Sequence, residues 1–427
     1  MKITLPYGKT HQELTIPDGI DAEILRSKAG EMKASGDEDQ IVIDAMRAPI
    51  GSPSLAELAK GRKTAVIICS DHTRPVPSRR IIPHMLKELR DGNPAIDITL
   101  LIATGFHRLS TIEELEAKFG PEIVRSEKIK VHNSRDESSL VELGVLPSGA
   151  KLIINKTAAE ADLLISEGFI EPHFFAGFSG GRKSVLPGIS GYETVLGNHC
   201  SEFIGSPKAK TGILEGNPIH RDMLAAAKMA NLQYIVNVII DPDKKVIAAV
   251  AGDPFAAHAA GCDILRKFCV ARATRAADIS ITTNGGAPLD QNIYQTVKGL
   301  TAGEAVTKEG GVIIACSACA DGSGGDGFYH SFKDSESPKA LLAAIESVPR
   351  DKTKPDQWES QILARILSRF EVILVCEPET RKIAEEMKIQ TAGSVQEAFE
   401  MACRKIPNPS VTVIPDGVSV IASVDRA

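Results

Sequence analysis

Short apolar runs rich in β-branched residues alternate along the chain with amphipathic stretches. Thr64–Ser70, 98–103 and 162–166 are such runs in the first half, and each has the composition of a strand that is buried on both faces. Amphipathic stretches at 78–91 and 220–231 predict helices between them. An alternation of strands and helices is typical of a parallel α/β domain.

The second half repeats this alternation after about residue 275. Strands are predicted at 277–284, 310–316, 371–376 and 411–415, with helices at 291–305, 338–347, 356–369, 379–388 and 395–403. A chain of 427 residues is also too long for a single hydrophobic core. We therefore predict two α/β domains, one over residues 1–270 and one over residues 275–427.

Composition and charge narrow the functional classes. Hydrophobic residues make up 43% of the chain and charged residues 24%, which is ordinary for a globular protein. The net charge of −6 argues against non-specific binding to nucleic acid, which requires a basic face. No apolar run approaches the ~20 residues of a membrane span, and the N-terminus lacks the apolar core of a secretory signal. Eight cysteines in so long a chain do not form a disulfide framework, so we expect a cytoplasmic protein.

The stretch 168–199 concentrates residues suited to chemistry. It contains His173, Lys183 and His199, with glycines on both sides of Arg182 and Lys183. Glycine lets the backbone approach a ligand closely. Because neither a helical nor an alternating period survives here, we predict a long ordered loop, which in a compact domain is usually functional.

Two predicted strands end in polar loops. Asp71 and Arg74 follow the strand Thr64–Ser70, and His107 follows the strand at 98–103. Ligands of open α/β sheets bind beyond the carboxyl ends of the strands, so both loops are candidates for one site. Further along, Ser110 and Glu113 predict a capping box for the next helix.

Each candidate residue has a functional and a structural interpretation. His107 and His173 are suited to acid–base catalysis near neutral pH, but each could equally be a hydrogen-bonded structural histidine. His199 is a possible ligand for zinc or nickel, although a lone histidine is weak evidence for a metal site. Four other histidines are predicted at the surface: His11, His220, His258 and His330.

Lys183 and Arg74 are the candidate cations. Lys183 follows glycines, as in many anion sites, but the spacing does not match the phosphate-binding loop. It could instead be a covalent attachment point or a solvated lysine. Arg74 could grip a carboxylate with two parallel hydrogen bonds, or form an ion pair with Asp71.

The second half offers weaker signals. Gln295 and Lys298 share one face of a predicted helix, next to Tyr294, which is also consistent with an ordinary polar face. The acidic loop 321–327 lacks the glutamate and spacing of a calcium-binding EF-hand. Cys316 and Cys319 form a CxxC pair without the second pair of a zinc site.

Six of these segments together resemble the lactate racemase family that uses a nickel-pincer nucleotide. They occur in the family's order over most of the chain: SDHTRPVPS (70–78), ATGFHR (103–108), EPHFFAGFSGGRKSVLPGI (171–189), GNH (197–199), GGAPLDQNIYQTVKG (285–299) and DGSGGDGFY (321–329). The resemblance implies an active site in a cleft between the domains, with the second domain Rossmann-like. One departure is Leu109, where the family often has proline.

The resemblance also implies roles for individual residues. The cofactor of this family is a pyridinium mononucleotide whose two sulfur-bearing groups and ring carbon bind nickel. By resemblance, the tether is Lys183, the nickel ligand His199, and the two bases His107 and His173. Substrate and cofactor contacts are implied for Arg74, Tyr294, Gln295 and Lys298, and Asp71 is implied to orient a neighbouring group in the cofactor-binding site.

This resemblance predicts a racemase or epimerase that inverts C2 of a 2-hydroxy acid. Hydride would leave to the cofactor and return to the other face of a planar keto acid, with the histidines alternating as acid and base. Separate proteins would synthesise the cofactor. Lactate, malate, larger hydroxy acids and sugar acids share the recognised groups, so the substrate stays open. A non-catalytic anion- or nucleotide-binding protein and, less favoured, a zinc hydrolase are the alternatives.

Overall fold

The protein is described by a computed structural model, which covers residues 1–32, 34, 36–241 and 243–425. Within these residues the strands are β1 (Lys2–Tyr7), β2 (Thr10–Thr15), β3 (Ala22–Ile24), β4 (Thr64–Ser70), β5 (Asp97–Ala103), β6 (Lys128–Val131), β7 (Leu140–Val145), β8 (Lys151–Asn155), β9 (Leu163–Phe169), β10 (Pro172–His173), β11 (Gly177–Phe178), β12 (Leu232–Ile240), β13 (Val246–Gly252), β14 (Val270–Ala273), β15 (Ala277–Thr283), β16 (Thr307–Cys316), β17 (Glu371–Val375), β18 (Gln390–Ala392), β19 (Val411–Ile414) and β20 (Ile421–Val424).

The α-helices of the same residues connect these strands. They are α1 (Glu38–Arg47), α2 (Leu55–Ala59), α3 (Ser78–Gly92), α4 (Ile112–Phe119), α5 (Pro121–Ser126), α6 (Lys156–Ala159), α7 (Tyr192–Asn198), α8 (Ser201–Ile204), α9 (Pro218–Met229), α10 (Ala256–Cys269), α11 (Ile293–Glu304), α12 (Asp326–Lys333), α13 (Pro338–Glu346), α14 (Gln357–Arg369), α15 (Pro378–Glu386) and α16 (Val395–Lys405). None of the helices in the described part of the chain is both long and apolar enough to cross a membrane.

The first lobe is built on a six-stranded sheet in the order β13-β12-β9-β4-β5-β6. Only β13 runs antiparallel to its neighbour; the other pairings are parallel. The chain passes from β4 to β5 on one side and later returns to β9 on the other side, so the strand order reverses at β4. Such a reversal opens a crevice at the carboxyl ends of the strands, where α/β proteins bind ligands.

The second lobe is built on a parallel six-stranded sheet in the order β18-β17-β16-β15-β19-β3. Together with the helices that connect its strands, this sheet confirms the predicted pair of α/β domains, the second of them Rossmann-like. Its edge strand β3 comes from the start of the chain, and Leu5 and Leu14 of the β1–β2 hairpin pack with Ile281 and Val413. The N-terminal residues 1–25 therefore pack with the second lobe, and the domain limits 1–270 and 275–427 stay a prediction.

Two local predictions were wrong. The capping box of α4 is formed by Thr111 and Glu114, one residue later than predicted. The stretch 168–199 is not a simple loop, because it contains the hairpin β10–β11, a 3₁₀ turn at Gly181–Ser184 and the helix α7. These elements are too short to establish a hydrophobic period, so tertiary packing rather than pattern defines them.

The first sheet is closed on one face by α3. Leu100 and Ile67 on the sheet pack with Ile81, Met85 and Leu89 of that helix, and all five side chains are fully buried. Helical residues four apart lie on one face, so the spacing of the three helix residues produces this contact.

We expect Leu100→Ala to lower the free energy of unfolding by ~2–5 kcal/mol, because it leaves a cavity in a packed interior. Leu109→Ala is the matched control, since Leu109 is 50% exposed. The control should change stability by less than ~0.5 kcal/mol. Urea denaturation of both variants measures the difference, and equal midpoints would contradict this packing.

Candidate active site

A cavity of about 280 Å³ lies between the lobes. Its first-lobe wall is formed by the segments that follow β4, β5 and β9, and its second-lobe wall by α11 and α14. The nine residues to which the resemblance assigned roles all line it: Asp71, Arg74, His107, His173, Lys183, His199, Tyr294, Gln295 and Lys298. The volume is near the lower end of the ~300–1,000 Å³ of small-molecule sites.

Asp71 and His107 form a pair across neighbouring strands. The Asp71 carboxylate is 2% exposed, and its Oδ2 lies 2.7 Å from Nδ1 of His107. Its Oδ1 accepts from the Thr73 hydroxyl at 2.7 Å. Burial opposes ionisation, but the hydrogen bond and charge of His107 and the Thr73 bond outweigh it, so the pKa of Asp71 is lowered. The ionised carboxylate orients the ring and leaves Nε2 of His107 for chemistry.

The loop that carries Arg74, between Ser70 and Ser78, is fixed by hydrogen bonds from residues that the sequence analysis did not identify. Lys118 of α4 donates to the carbonyls of Arg74 at 3.1 Å and Val76 at 3.4 Å. The buried Glu167 of β9 accepts from the hydroxyls of Ser70 and Ser78, which flank the loop on its two sides. With its backbone anchored at both ends, the exposed Arg74 side chain is presented at the cavity.

His173 lies on the short hairpin beyond β9. Its Nδ1 accepts from the backbone N–H of Ala176 at 3.3 Å, and its ring contacts Phe174 and Phe175. Burial lowers the pKa of His173 well below its ordinary value, and the charge of Lys183 lowers it further. The ring is therefore neutral at neutral pH.

Lys183 lies on the 3₁₀ turn Gly181–Ser184, with its Nζ 5.7 Å from the Phe175 ring centroid. Burial lowers the pKa of Lys183 well below its usual range, and the nearby charges of Arg182 and Arg74 add to this shift. An unprotonated lysine amine is a nucleophile, which fits covalent attachment better than it fits anion binding.

His199 follows α7 directly and is 5% exposed. Its Nδ1 lies 3.0 Å from the Val195 carbonyl, which can only accept, so Nδ1 carries the proton and Nε2 is a free ligand atom. Burial lowers the pKa of His199 to about 3, which keeps the ring neutral. Its ring is packed between Phe175 and Trp358, at centroid distances of 5.2 and 5.0 Å.

The second lobe contributes one face of α11. Lys298 Nζ donates to Gln295 Oε1 at 2.6 Å, and the Tyr294 hydroxyl donates to Asp356 at 3.0 Å. Burial raises the pKa of Glu359, a neighbouring cavity residue of α14, and burial lowers the pKa of Lys298. Gln295 and Lys298 thus line the cavity as a hydrogen-bonded unit.

Other sequence candidates lie elsewhere. Cys316 and Cys319 are buried within the second lobe and do not line the cavity. In the loop 321–327, the carbonyls of Gly322 and Ser323 accept from the first N–H groups of α11, so the loop fixes the start of that helix. The surface prediction was wrong for His258, which is 3% exposed, and His220 is half-buried.

Lys118, Glu167, Trp358 and Glu359 were missed for a common reason. Each stands inside a regular helix or strand, where a charged or aromatic residue has no local signal of function. Only the packing of the lobes brings Trp358 and Glu359 to the cavity.

A two-lobed α/β fold with acid–base groups and cations gathered in the cleft is typical of an enzyme that acts on a small molecule. Comparison with known proteins identifies the kind of enzyme. The family model of the lactate racemase N-terminal domain matches residues 7–212, and that of the lactate racemase C-terminal domain matches residues 272–422. The chain belongs to the lactate racemase family and is an isomerase.

Individual relatives match this chain over almost its full length. The chain is 53% identical to a lactate racemase of Thermoanaerobacterium thermosaccharolyticum, covering 98% of both chains. It is 52% identical to a lactate racemase of Lactiplantibacillus plantarum, covering 98% of this chain and 99% of that one. The lactate racemase apoprotein structure from T. thermosaccharolyticum superposes with a TM-score of 0.95 over 99% of this chain and all of that one, at 52% identity.

A more distant structure shows the fold alone. A crystal structure of a protein from Thermotoga maritima matches with a TM-score of 0.65 at 18% identity, over 91% of this chain and 99% of that one. Membership of the lactate racemase family is consistent with an enzyme that uses a cofactor and acts on a small-molecule substrate.

The histidines predict how stability depends on pH. Burial lowers the pKa of five of them: His132 to about 4, His199 and His220 to about 3, and His173 and His258 well below the ordinary value. An unfolded histidine binds its proton near pH ~6.5. Below that pH the unfolded chain holds more protons than the folded chain, so the free energy of unfolding falls by up to ~1.4 kcal/mol per pH unit for each such histidine.

We therefore expect the denaturation midpoint to drop steeply from pH 7 to pH 5. His132→Gln, which is buried outside the cavity, should flatten this dependence, whereas His11→Gln, at an exposed position, should not. Urea titrations at several pH values provide the measurement. A midpoint that does not change over this range would show that these histidines are not held neutral.

Proposed function

We propose that the protein interconverts the enantiomers of lactate, or of a closely related short 2-hydroxy acid, by a two-histidine mechanism with a nickel-pincer nucleotide attached at Lys183. The observation that carries the proposal is that one cavity holds His107, His173, Arg74 and Lys183 together. A protein that only binds an anion has no need of two acid–base groups.

The two histidines have different environments, as a two-base reaction requires at its start. His173 is neutral, which makes it a free base. His107 instead has its Nδ1 2.7 Å from the ionised Asp71 carboxylate, which holds the ring in place and leaves Nε2 toward the cavity. One histidine can then take the hydroxyl proton of one enantiomer while the other returns a proton to the opposite face, and the reverse reaction begins with the roles exchanged.

Arg74 supplies the substrate anchor. Its guanidinium can hold a carboxylate through two parallel hydrogen bonds, with Lys298 as a second cation on the facing wall. A fixed carboxylate leaves only the hydroxyl and the hydrogen on C2 free to react. The aromatic residues Phe106, Phe174 and Trp358 surround the same space and favour a short apolar side chain over a second carboxylate.

The residues of the cavity fit the proposed cofactor. The lowered pKa of the Lys183 amine suits an acyl attachment, and Nε2 of His199 is available to bind a metal. Among the described residues, no group of three histidine, cysteine or acidic side chains can hold a metal ion, so a metal at His199 needs ligands from a bound group. When bound, the nickel-pincer nucleotide supplies a reversible acceptor for the C2 hydride. Partner proteins that synthesise it, and a cytoplasmic location, belong to this proposal.

The first test is attachment of the cofactor. We expect the chain co-expressed with the cofactor-synthesis proteins of a known lactate racemase to gain the mass of the cofactor, and Lys183→Ala to lose that gain. Lys87→Ala is the control, because Lys87 is exposed and pairs with Asp91 of its own helix. Intact-mass spectrometry reads all three proteins, and an unmodified wild-type chain would contradict the proposal.

The second test is turnover. His107→Ala and His173→Ala should each lower racemisation of D- and L-lactate by at least ~10²-fold, the usual size of an acid–base contribution. Chiral chromatography, with malate as a comparison substrate, measures the rates. His84→Ala, on α3 and away from the cavity, should retain activity. Full activity in either cavity variant would rule out the two-base mechanism.

A further inference from the structure

Arg182 is an arginine buried in the first lobe among neutral partners. It is 1% exposed, although arginine is rarely fully buried without an acidic partner. Its Nη2 donates to the Ala176 carbonyl at 2.8 Å, its Nη1 to the Gly180 carbonyl at 3.1 Å, and its Nε to Nδ1 of His220 at 3.0 Å. Burial lowers the pKa of Arg182 to about 10, so the group is still charged at neutral pH.

The surrounding histidines do not cancel this charge. His258 Nε2 lies 3.1 Å from Nη1 of Arg182 and 2.8 Å from the Ser179 carbonyl. Burial and the charge of Arg182 lower the pKa of both His220 and His258, so both rings are neutral. Within the described residues, the fold therefore keeps an unneutralised positive charge in its interior, which costs free energy.

The glycine turn before Arg182 is shaped around this guanidinium. Gly177 and Gly181 have φ of +79° and +52°. A Cβ at Gly177 would lie 2.4 Å from the Ile213 carbonyl oxygen, and one at Gly181 would lie 2.8 Å from the His258 ring. Glycine is therefore needed for the backbone to wrap around Arg182 with its carbonyls turned inward.

Lys183 is the next residue of the same 3₁₀ turn. Because Arg182 is fixed toward α9 and α10, the following side chain is directed to the cavity, where Lys183 lies. The other charged groups that act on the Lys183 amine are Arg74 after β4, Glu171 after β9 and Lys298 on α11. After burial, the charge of Arg182 is the largest influence on that amine.

We propose that Arg182 is a positioning residue for Lys183: it anchors the glycine turn so that the Lys183 amine faces the cavity beside an uncompensated positive charge, as a reactive nucleophile. The inference rests on the proposed function in that Lys183 is the attachment point. Its test requires neither cofactor nor turnover, so it can fail or succeed independently of racemase activity.

The test is trace acetylation of the full-length chain without cofactor, using acetic anhydride from pH 6 to 10. The amine nitrogen bonds to an acyl carbon, the bond to acetate breaks, and the amine proton passes to solvent. Peptide mass spectrometry gives a rate for each lysine. We expect the Lys183 rate to level off at a lower pH than that of the exposed Lys87, and equal profiles in the wild-type chain would overturn the inference.

Two variants separate the charge of Arg182 from its geometry. Arg182→Met removes both, and we expect the Lys183 profile to move to higher pH, with the rate at neutral pH falling about tenfold per unit of that shift. Arg182→Lys keeps the charge without the fork of donors, and we expect a lower rate with a smaller change of midpoint. An unchanged Lys183 rate and profile in folded Arg182→Lys overturns the inference.

Arg90→Met is the control for general destabilisation. Arg90 pairs with the buried Glu127 on the far side of the first lobe, so its loss weakens the fold without touching the turn. Its Lys183 profile should match that of the wild type. If Arg90→Met changed the Lys183 acetylation profile as much as Arg182→Met does, the effect of Arg182 would be general destabilisation, and the inference would be overturned.

Discussion

The parallel pairing of β4 with both β5 and β9 is the constraint on which the site depends. Parallel neighbours end at the same edge of a sheet, so the loops after these strands converge. Asp71 and His107 can share a hydrogen bond only because β4 and β5 stop in register, with Ser70 opposite Ala103. The same edge receives His173 from the hairpin beyond β9.

Burial in the cavity lowers the pKa of several of its basic groups. The cavity gathers Lys183, Lys298 and Arg74 with three histidines, and burial lowers the pKa of both lysines and of His173 and His199. Several cations at close quarters destabilise one another, so the charges of Arg182 and Arg74 lower the pKa of Lys183 beyond the effect of burial. The cost of burying these groups is offset elsewhere by three apolar clusters that hold the two sheets and their helices together.

The lobes contribute unequal parts to the cleft. The first lobe supplies the histidines and Lys183, and Lys183 stands on the turn whose backbone carbonyls bind Arg182. The second lobe supplies α11 and the aromatic ring of Trp358, which packs on His199. The proposed acid–base and attachment residues thus come from the first lobe, while both lobes close the cavity, an arrangement suited to enclosing a small substrate.

The sequence alone determined the α/β architecture and the central strands of both sheets, because runs such as Thr64–Ser70 bury both faces and carry a clear β-branched pattern. It also identified the cavity residues that stand in loops. It could not assign β3 to the second sheet or place Lys118, Glu167 and Trp358 beside the site. Those positions are set by contacts between residues far apart in the chain, which have no local period. The buried Arg182 is the clearest case: its sequence neighbours left an anion site, a covalent attachment point and a solvated lysine open, whereas tertiary packing turned the guanidinium inward and left Lys183 facing the cleft.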